Sequence, residues 1–261
     1  MKILGSYPSV RLRRNRKYNW SRRLVAENNL SINDLILPVF VTEGKNKIES
    51  IKSMPGIFRY SIDKLGSIIY RASKLKIPLI AIFPHTPSKK KNYLGSEGLN
   101  EDNLVCRAIK QIKKNNPNIG IMADVALDPY TDHGHDGILK NKEVLNDETI
   151  EILSAQALLQ AQMGCDVIAP SDMMDGRVGV IRKTLDKNNF INVQILSYAA
   201  KYASNFYGPF RNAIGTTNKL KGNKKSYQMD YKNSSEALRE VGLDIKEGAD
   251  FVMVKPALPY L

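Results

Sequence analysis

The chain has 261 residues, 43% of them hydrophobic, and a formal net charge of +13, which is enough apolar material for one large domain or two small ones and the composition of an ordinary soluble globular protein. No stretch approaches the roughly 18 apolar residues of a membrane helix, and the basic N-terminus has no apolar segment behind it, which excludes a helical span and a signal peptide and leaves the cytoplasm as the expected location. The lysines fall in scattered runs such as Lys89-Lys90-Lys91 and Lys113-Lys114, without interleaved aromatics, so the charge predicts a basic surface rather than a nucleic-acid platform.

Residues 1–30 carry Arg11, Arg13, Arg14, Arg16, Arg22 and Arg23 with little apolar periodicity and read as an arm that becomes ordered on a partner surface. A homo-oligomer would supply that surface. Residues 31–261 are expected to form one further domain, incomplete at its C-terminus. Within it, short apolar runs at 35–41, 77–83, 119–127, 167–170, 194–200 and 251–254 predict strands. Longer amphipathic runs at 61–76, 101–115, 147–163, 177–188 and 235–246 predict helices, and Gly164 and Gly248 stand where two of them should stop. The alternation predicts a parallel α/β sheet. No Gly-x-Gly-x-x-Gly turn follows the first strand, so a (β/α)8 TIM barrel is preferred to a dinucleotide-binding sheet. A closed barrel needs eight strands, and the sequence ends at Leu261 soon after the sixth, so the expectation is a barrel whose last two strands are missing. Cys106 and Cys165 lack the spacing of a zinc site or disulfide framework and are expected to be buried thiols.

In such a barrel the chemistry lies at the carboxyl ends of the strands. Lys201 and Lys255 end two successive strands and so deliver two amines to one rim. Desolvation and a neighbouring ammonium both push an amine towards its neutral, nucleophilic form, whose use is attack on a carbonyl to give an imine. A lone lysine at such a place would read as a snorkelling surface charge. The third strand runs out through Asp124-Val125-Ala126-Leu127-Asp128 into a loop holding His133, His135 and Asp136. Asp124, Asp128 and Asp136 suit either acid–base work or a hard cation, and equally an Asx-rich turn. Residues 202–228 form a long loop that resembles a lid, with Arg211 and Lys224 offering positive charge to a substrate carboxylate and Gln228 a hydrogen bond; its bland alternative is a solvated insertion.

The runs Ser197-Tyr198-Ala199-Ala200-Lys201-Tyr202-Ala203-Ser204, Tyr207-Gly208-Pro209-Phe210-Arg211, Met253-Val254-Lys255-Pro256 and Asp172-Met173-Met174-Asp175-Gly176-Arg177 closely resemble the porphobilinogen synthase (5-aminolevulinate dehydratase) family, and Arg11-Leu12-Arg13-Arg14 resembles its subunit-hugging arm. The resemblance implies a lyase of tetrapyrrole and heme biosynthesis. It would condense two molecules of 5-aminolevulinate to porphobilinogen with loss of two waters, with Lys255 holding one substrate and Lys201 the other as Schiff bases, and Arg211 and Lys224 binding a carboxylate. Lys224 stands where the family usually has arginine, which removes a bidentate grip. Zinc-dependent members have three cysteines where this chain has Ala126, Asp128 and Asp136, so no zinc is expected at the active site and the magnesium-type subgroup is implied. In that subgroup an allosteric Mg2+ lies at a subunit boundary near the residue matching Glu240, and the assembly is a homo-octamer. The family continues into two further strands bearing a serine and a tyrosine that bind a substrate carboxylate. Other readings are a different Schiff-base barrel such as an aldolase, a truncated remnant serving as an assembly subunit, and an RNA-binding protein that reuses the fold.

Overall fold

The computed structural model describes residues 5–216, 220 and 222–261. Thr217, Asn218, Lys219 and Lys221 of the expected lid, and the first four residues of the expected arm, lie outside them. The chain divides into two units, Met1–Asp34 and Leu35–Leu261. In the first, the short helices α1 (Arg14–Lys17) and α2 (Asn19–Leu24) hold a single buried residue, Ser21. Leu12, Trp20, Leu24 and Leu30 are exposed, so this unit has no core of its own.

The second unit is built on β1 (Ile36–Thr42), a hairpin of β2 (Ile48–Ser50) and β3 (Phe58–Ser61), β4 (Leu79–His85), β5 (Gly120–Val125), a small hairpin of β6 (Ile138–Lys140) and β7 (Glu143–Leu145), β8 (Val167–Pro170), β9 (Gln194–Lys201) and β10 (Phe251–Lys255). The six strands expected from the apolar runs are β1, β4, β5, β8, β9 and β10. They lie side by side in chain order and all pair in parallel. Between them run α3 (Leu65–Lys74), α4 (Leu104–Asn115), α5 (Asn146–Gln162), α6 (Arg177–Lys187), α7 (Gly208–Ile214) and α8 (Ser234–Glu247). This is the βαβ progression of a TIM barrel. β3 pairs in parallel with the far end of β1, opposite β4, through Phe40↔Arg59 to Thr42↔Ser61.

Two apolar layers follow from the period of two along each strand. Val39, Val41, Ile80, Ile82, Ile121, Ala123, Val125, Ile168 and Ile195 point outward and pack with Leu65, Ile69, Ile109, Leu153, Val178 and Ile181 of the helices. The alternate residues Phe40, Ala81, Phe83, Met122, Val167, Ala169, Leu196 and Tyr198 form the inner layer, joined by Ala213 and Ile214 of α7. Both faces of β4, β5, β8 and β9 are covered, which is why they read as continuous apolar runs and not as alternating ones, whereas β10 at the sheet edge leaves Phe251 and Val252 exposed.

The Asp172–Arg177 segment does structural work in this frame. Met173 and Gly176 both have positive φ, 71° and 75°, and the turn they make places Arg177 in the interior at 1% exposure. Its guanidinium donates to Asp244 of α8 at 3.2 and 3.4 Å, to Ser197 Oγ of β9 at 3.1 Å and to the Met174 carbonyl at 3.1 Å. Ser197 Oγ in turn donates to Asp244 at 2.6 Å, so one arginine ties α6, α8 and the Lys201 strand together. Removing one partner of a buried ion pair strands the other charge. Asp244→Ala is therefore expected to lower the unfolding free energy by about 3–5 kcal/mol, and Arg177→Met combined with Asp244→Leu by clearly less than the sum of the single changes, as measured by denaturant titration.

Candidate active site

Parallel pairing sets Lys255 opposite Lys201 at the carboxyl ends of β10 and β9. Each amine has a different setting. The Lys201 side chain is buried and its ammonium donates to the Ser171 carbonyl. Lys255 is half-buried and its Nζ stands over aromatic faces, 4.3 Å from the Phe210 ring centre, 4.9 Å from Tyr198, and 5.9 Å from both Phe83 and Tyr207. Burial and the Lys201 charge together push the Lys255 amine down to about 8. Its main chain is fixed as well, since the Tyr207 hydroxyl donates to the Lys255 carbonyl at 2.9 Å.

The carboxylates of β5 and its loop surround this pair. Asp124 is pushed up by burial, against the pull of Lys201 and Lys255, and hydrogen-bonds Ser171 and Tyr198. Lys224 is buried and donates to both oxygens of Asp136 at 2.9 and 3.0 Å and to Asp128 at 3.4 Å. Burial raises Asp128 to about 6 although Lys224 opposes it. Asp136, despite burial, is drawn down to about 2 by Lys201 and Lys224. Burial would depress the Lys224 ammonium, but Asp128 and Asp136 outweigh it and raise it. The sequence suggests Lys224 for a substrate carboxylate and the aspartates for acid–base work or a cation; the fold brings Lys224, Asp128 and Asp136 together as one ion-paired cluster. Among the described residues no three His, Cys, Asp or Glu side chains converge as metal ligands.

Asp128, Lys201, Tyr207, Phe210, Arg211, Lys224, Gln228 and Lys255 line one pocket. Gln228 is buried there, and among the described residues its Oε1 has no hydrogen-bond partner, which makes it an acceptor available to a ligand N–H. The adjoining cavity is lined by Ser204, Asn205, Arg211, Lys224 and Gln228, so Arg211 and Gln228 stand between the amines and a polar entrance. Glu240 does not join this group. It is half-buried on α8 beside another cavity, of about 470 Å³, with Asp175 and Glu236, and burial and those carboxylates raise it against the pull of Arg177. Sequence reasoning missed Tyr198, Tyr207, Phe210 and the Ser171 carbonyl. The first three lay within the motifs already singled out, yet only the fold shows that their rings surround Lys255. The two thiols, Cys106 and Cys165, are buried away from the site, and burial raises them to about 11 and about 12.

The low value at Lys255 is a load on the fold. Protonation is easier in the unfolded chain, so the penalty is complete below pH 8 and is relieved as pH rises towards the ordinary lysine value of 10.5. A shift of this size corresponds to roughly 3 kcal/mol, part of which the ring faces return. Lys255→Met is expected to raise stability at pH 7 by about 1–2 kcal/mol and to lose that advantage near pH 10, a comparison that thermal melts at the two pH values would make.

Comparison with known proteins places this geometry. The family model for delta-aminolevulinic acid dehydratase matches residues 9–261. The delta-aminolevulinic acid dehydratase of Bradyrhizobium diazoefficiens is 58% identical over 253 residues, covering 97% of this chain and 72% of that protein. That of Methanothermus sociabilis is 52% identical, over 98% of this chain and 78% of its own length. The crystal structure of Toxoplasma gondii delta-aminolevulinic acid dehydratase (porphobilinogen synthase), in complex with the reaction product porphobilinogen, superposes with a TM-score of 0.93 at 43% identity and covers 96% of this chain and 72% of that one. A family match along nearly the whole length, and relatives this similar across two kinds of comparison, leave no second family to consider: the chain belongs to the delta-aminolevulinic acid dehydratase, or porphobilinogen synthase, family.

Proposed function

We propose that the chain's porphobilinogen synthase activity, condensation of two 5-aminolevulinate molecules with loss of two waters, runs through the amine pair Lys201 and Lys255. The observation that carries this reading is their register. Two strand-end amines face one pocket, and one of them is held near 8 where a neutral nucleophile is present at physiological pH. The neutral Lys255 amine attacks the ketone of one substrate; its nitrogen gives up both protons, which leave with the ketone oxygen as water, and a C=N bond replaces C=O. Lys201 forms the second imine with the other substrate in the same way. Asp128, raised to about 6, is the carboxylate that exchanges protons with substrate near neutrality, and Asp124, raised by burial, lies beside both amines. Arg211 at the entrance takes a substrate carboxylate, and the open Gln228 Oε1 accepts from an amino group. Lys224 acts mainly by neutralising Asp136 and Asp128, and presents a single point charge to any carboxylate.

Mg2+ is the cation this reading assigns to Glu240, as an allosteric site between subunits. Glu240, Asp175 and Glu236 are hard oxygen donors on one cavity, and Mg2+ is commonly held by one or two carboxylates with the remaining positions filled by water. It would offset the mutual repulsion of these carboxylates. At the active site Asp128 and Asp136 are paired with the Lys224 ammonium. The exposed apolar side chains of the arm, Leu12, Trp20, Leu24 and Leu30, support a homo-oligomer, with the octamer as the assembly. No described helix is long and apolar enough to cross a membrane, and a cytoplasmic site of action belongs to the same reading.

Borohydride reduction in the presence of 5-aminolevulinate, followed by peptide mass mapping, is expected to mark Lys201 and Lys255 and to spare surface lysines such as Lys89. Equal labelling of surface and pocket lysines would sink the proposal. The rate of adduct formation at Lys255 should rise about tenfold per pH unit up to pH 8 and level off above it, because the neutral amine is the reacting form.

A further inference from the structure

α7 brings Phe210, the ring nearest the Lys255 amine, to 4.3 Å from its Nζ and Arg211 into the same pocket. α7 is a seven-residue helix, Gly208–Ile214, too short to be stable by itself, so what holds it matters. Its inner side packs Ala213 and Ile214 on the barrel interior, and Phe210 meets Phe83 edge-on at 5.2 Å and Phe40 at 6.2 Å. Its carbonyl end is held from elsewhere. Arg59 of β3 donates from Nε to the Ala213 carbonyl and from Nη2 to the Asn212 carbonyl, both at 2.6 Å. These are carbonyls of the last helical turn, the Asn212 one accepting also from the Gly215 N–H at 3.3 Å, and an arginine can hold such a pair with two parallel donors. Ser53, in the β2–β3 turn, adds bonds to Asn212 Oδ1 at 3.1 Å and the Pro209 carbonyl at 3.3 Å. The helix then stops at Gly215, φ 73°, where a Cβ would come within 2.7 Å of the His85 ring. The β2–β3 hairpin is thus a bracket, fixed to β1 by the Phe40↔Arg59 register, that grips the far end of the helix covering the site.

We propose that Arg59 is a positioning residue for the reaction: it clamps the carbonyl end of α7 from the β2–β3 hairpin and so holds Phe210 and Arg211 over the Lys255 amine. It touches no reacting atom. The proposal deepens the reading of Lys255 as the imine-forming amine and rests on it for its catalytic meaning, but the clamp itself is open to a test that does not involve the substrate. The groups facing Lys255 are Lys201 on β9, Asp124 on β5, Asp128 and Asp136 in the following loop, and the rings of Phe83, Tyr198, Tyr207 and Phe210. Those facing Arg59 are Glu49 and His85.

The experiment is competitive labelling of the intact chain with acetic anhydride across pH 6–11, with the Lys255 peptide followed by mass spectrometry in wild type, Arg59→Met, Arg59→Lys and Ser53→Ala. In wild type the labelling midpoint should lie near 8. In Arg59→Met, with Phe210 released and water admitted, the midpoint should rise by about one unit, so that labelling at pH 7 falls about tenfold. Arg59→Lys should recover part of that, and Ser53→Ala, which removes no charge from an exposed site, should shift the midpoint the same way by less. Wild-type midpoints in both Arg59→Met and Ser53→Ala overturn the clamp. So does a shift in Arg59→Met alone with Ser53→Ala at the wild-type midpoint, which would be a charge effect. Absence of 5-aminolevulinate adducts at Lys255, with the labelling shifts intact, would instead overturn the reading of function and leave the clamp standing.

Discussion

Parallel register between β9 and β10 puts two lysines opposite each other in a partly dry pocket, and much of the site answers the electrostatic problem this creates. Two ammonium groups so close cannot both keep their ordinary affinity for protons unless anions lie beside them. The fold supplies three aspartates from β5 and its loop, then limits their effect by giving two of them, Asp128 and Asp136, to Lys224. Lys201 keeps a carbonyl partner, whereas Lys255 is left with ring faces and a like charge. Two chemically identical side chains thus meet different surroundings, and burial with a like charge beside it brings the Lys255 amine down to about 8.

Holding that register requires rigidity below the site. The buried Arg177 cluster joins α6, α8 and β9 through Asp244 and Ser197. Ser197 lies four residues before Lys201 on the same strand, so the network anchors the strand that carries one amine to the helix that precedes the other. Buried ion pairs are weak devices for stability compared with apolar packing, but they admit few alternative arrangements. From the other side of the pocket, the β2–β3 hairpin fixes α7 by its carbonyl end. The amines are therefore held from beneath by charge and covered from above by aromatic rings.

The chain's own sequence determined a good deal of this. Apolar run lengths marked the six parallel strands within two residues or so, because strands buried on both faces leave continuous apolar stretches, and the glycines at 164 and 248 marked helix ends because only left-handed backbone follows there. The paired lysines, the aspartate-rich loop, Arg211 and Gln228 were legible as candidates because strand ends and their loops are where such a barrel works. What tertiary structure decided is which partner each charge takes. Lys224 reads from the sequence as a positive charge over the mouth, and the fold lays it on Asp136, 88 residues away; Arg177 pairs with Asp172 inside its own signature and also with Asp244, 67 residues on, which the signature did not announce; Arg59 gave no sign, since the carbonyls it holds lie 153 and 154 residues ahead. Local periodicity reports which face of an element is buried, because that depends on near neighbours along the chain. Ion pairs, helix clamps and proton affinities depend on distances across the sheet, which exist only once the strands have been laid side by side.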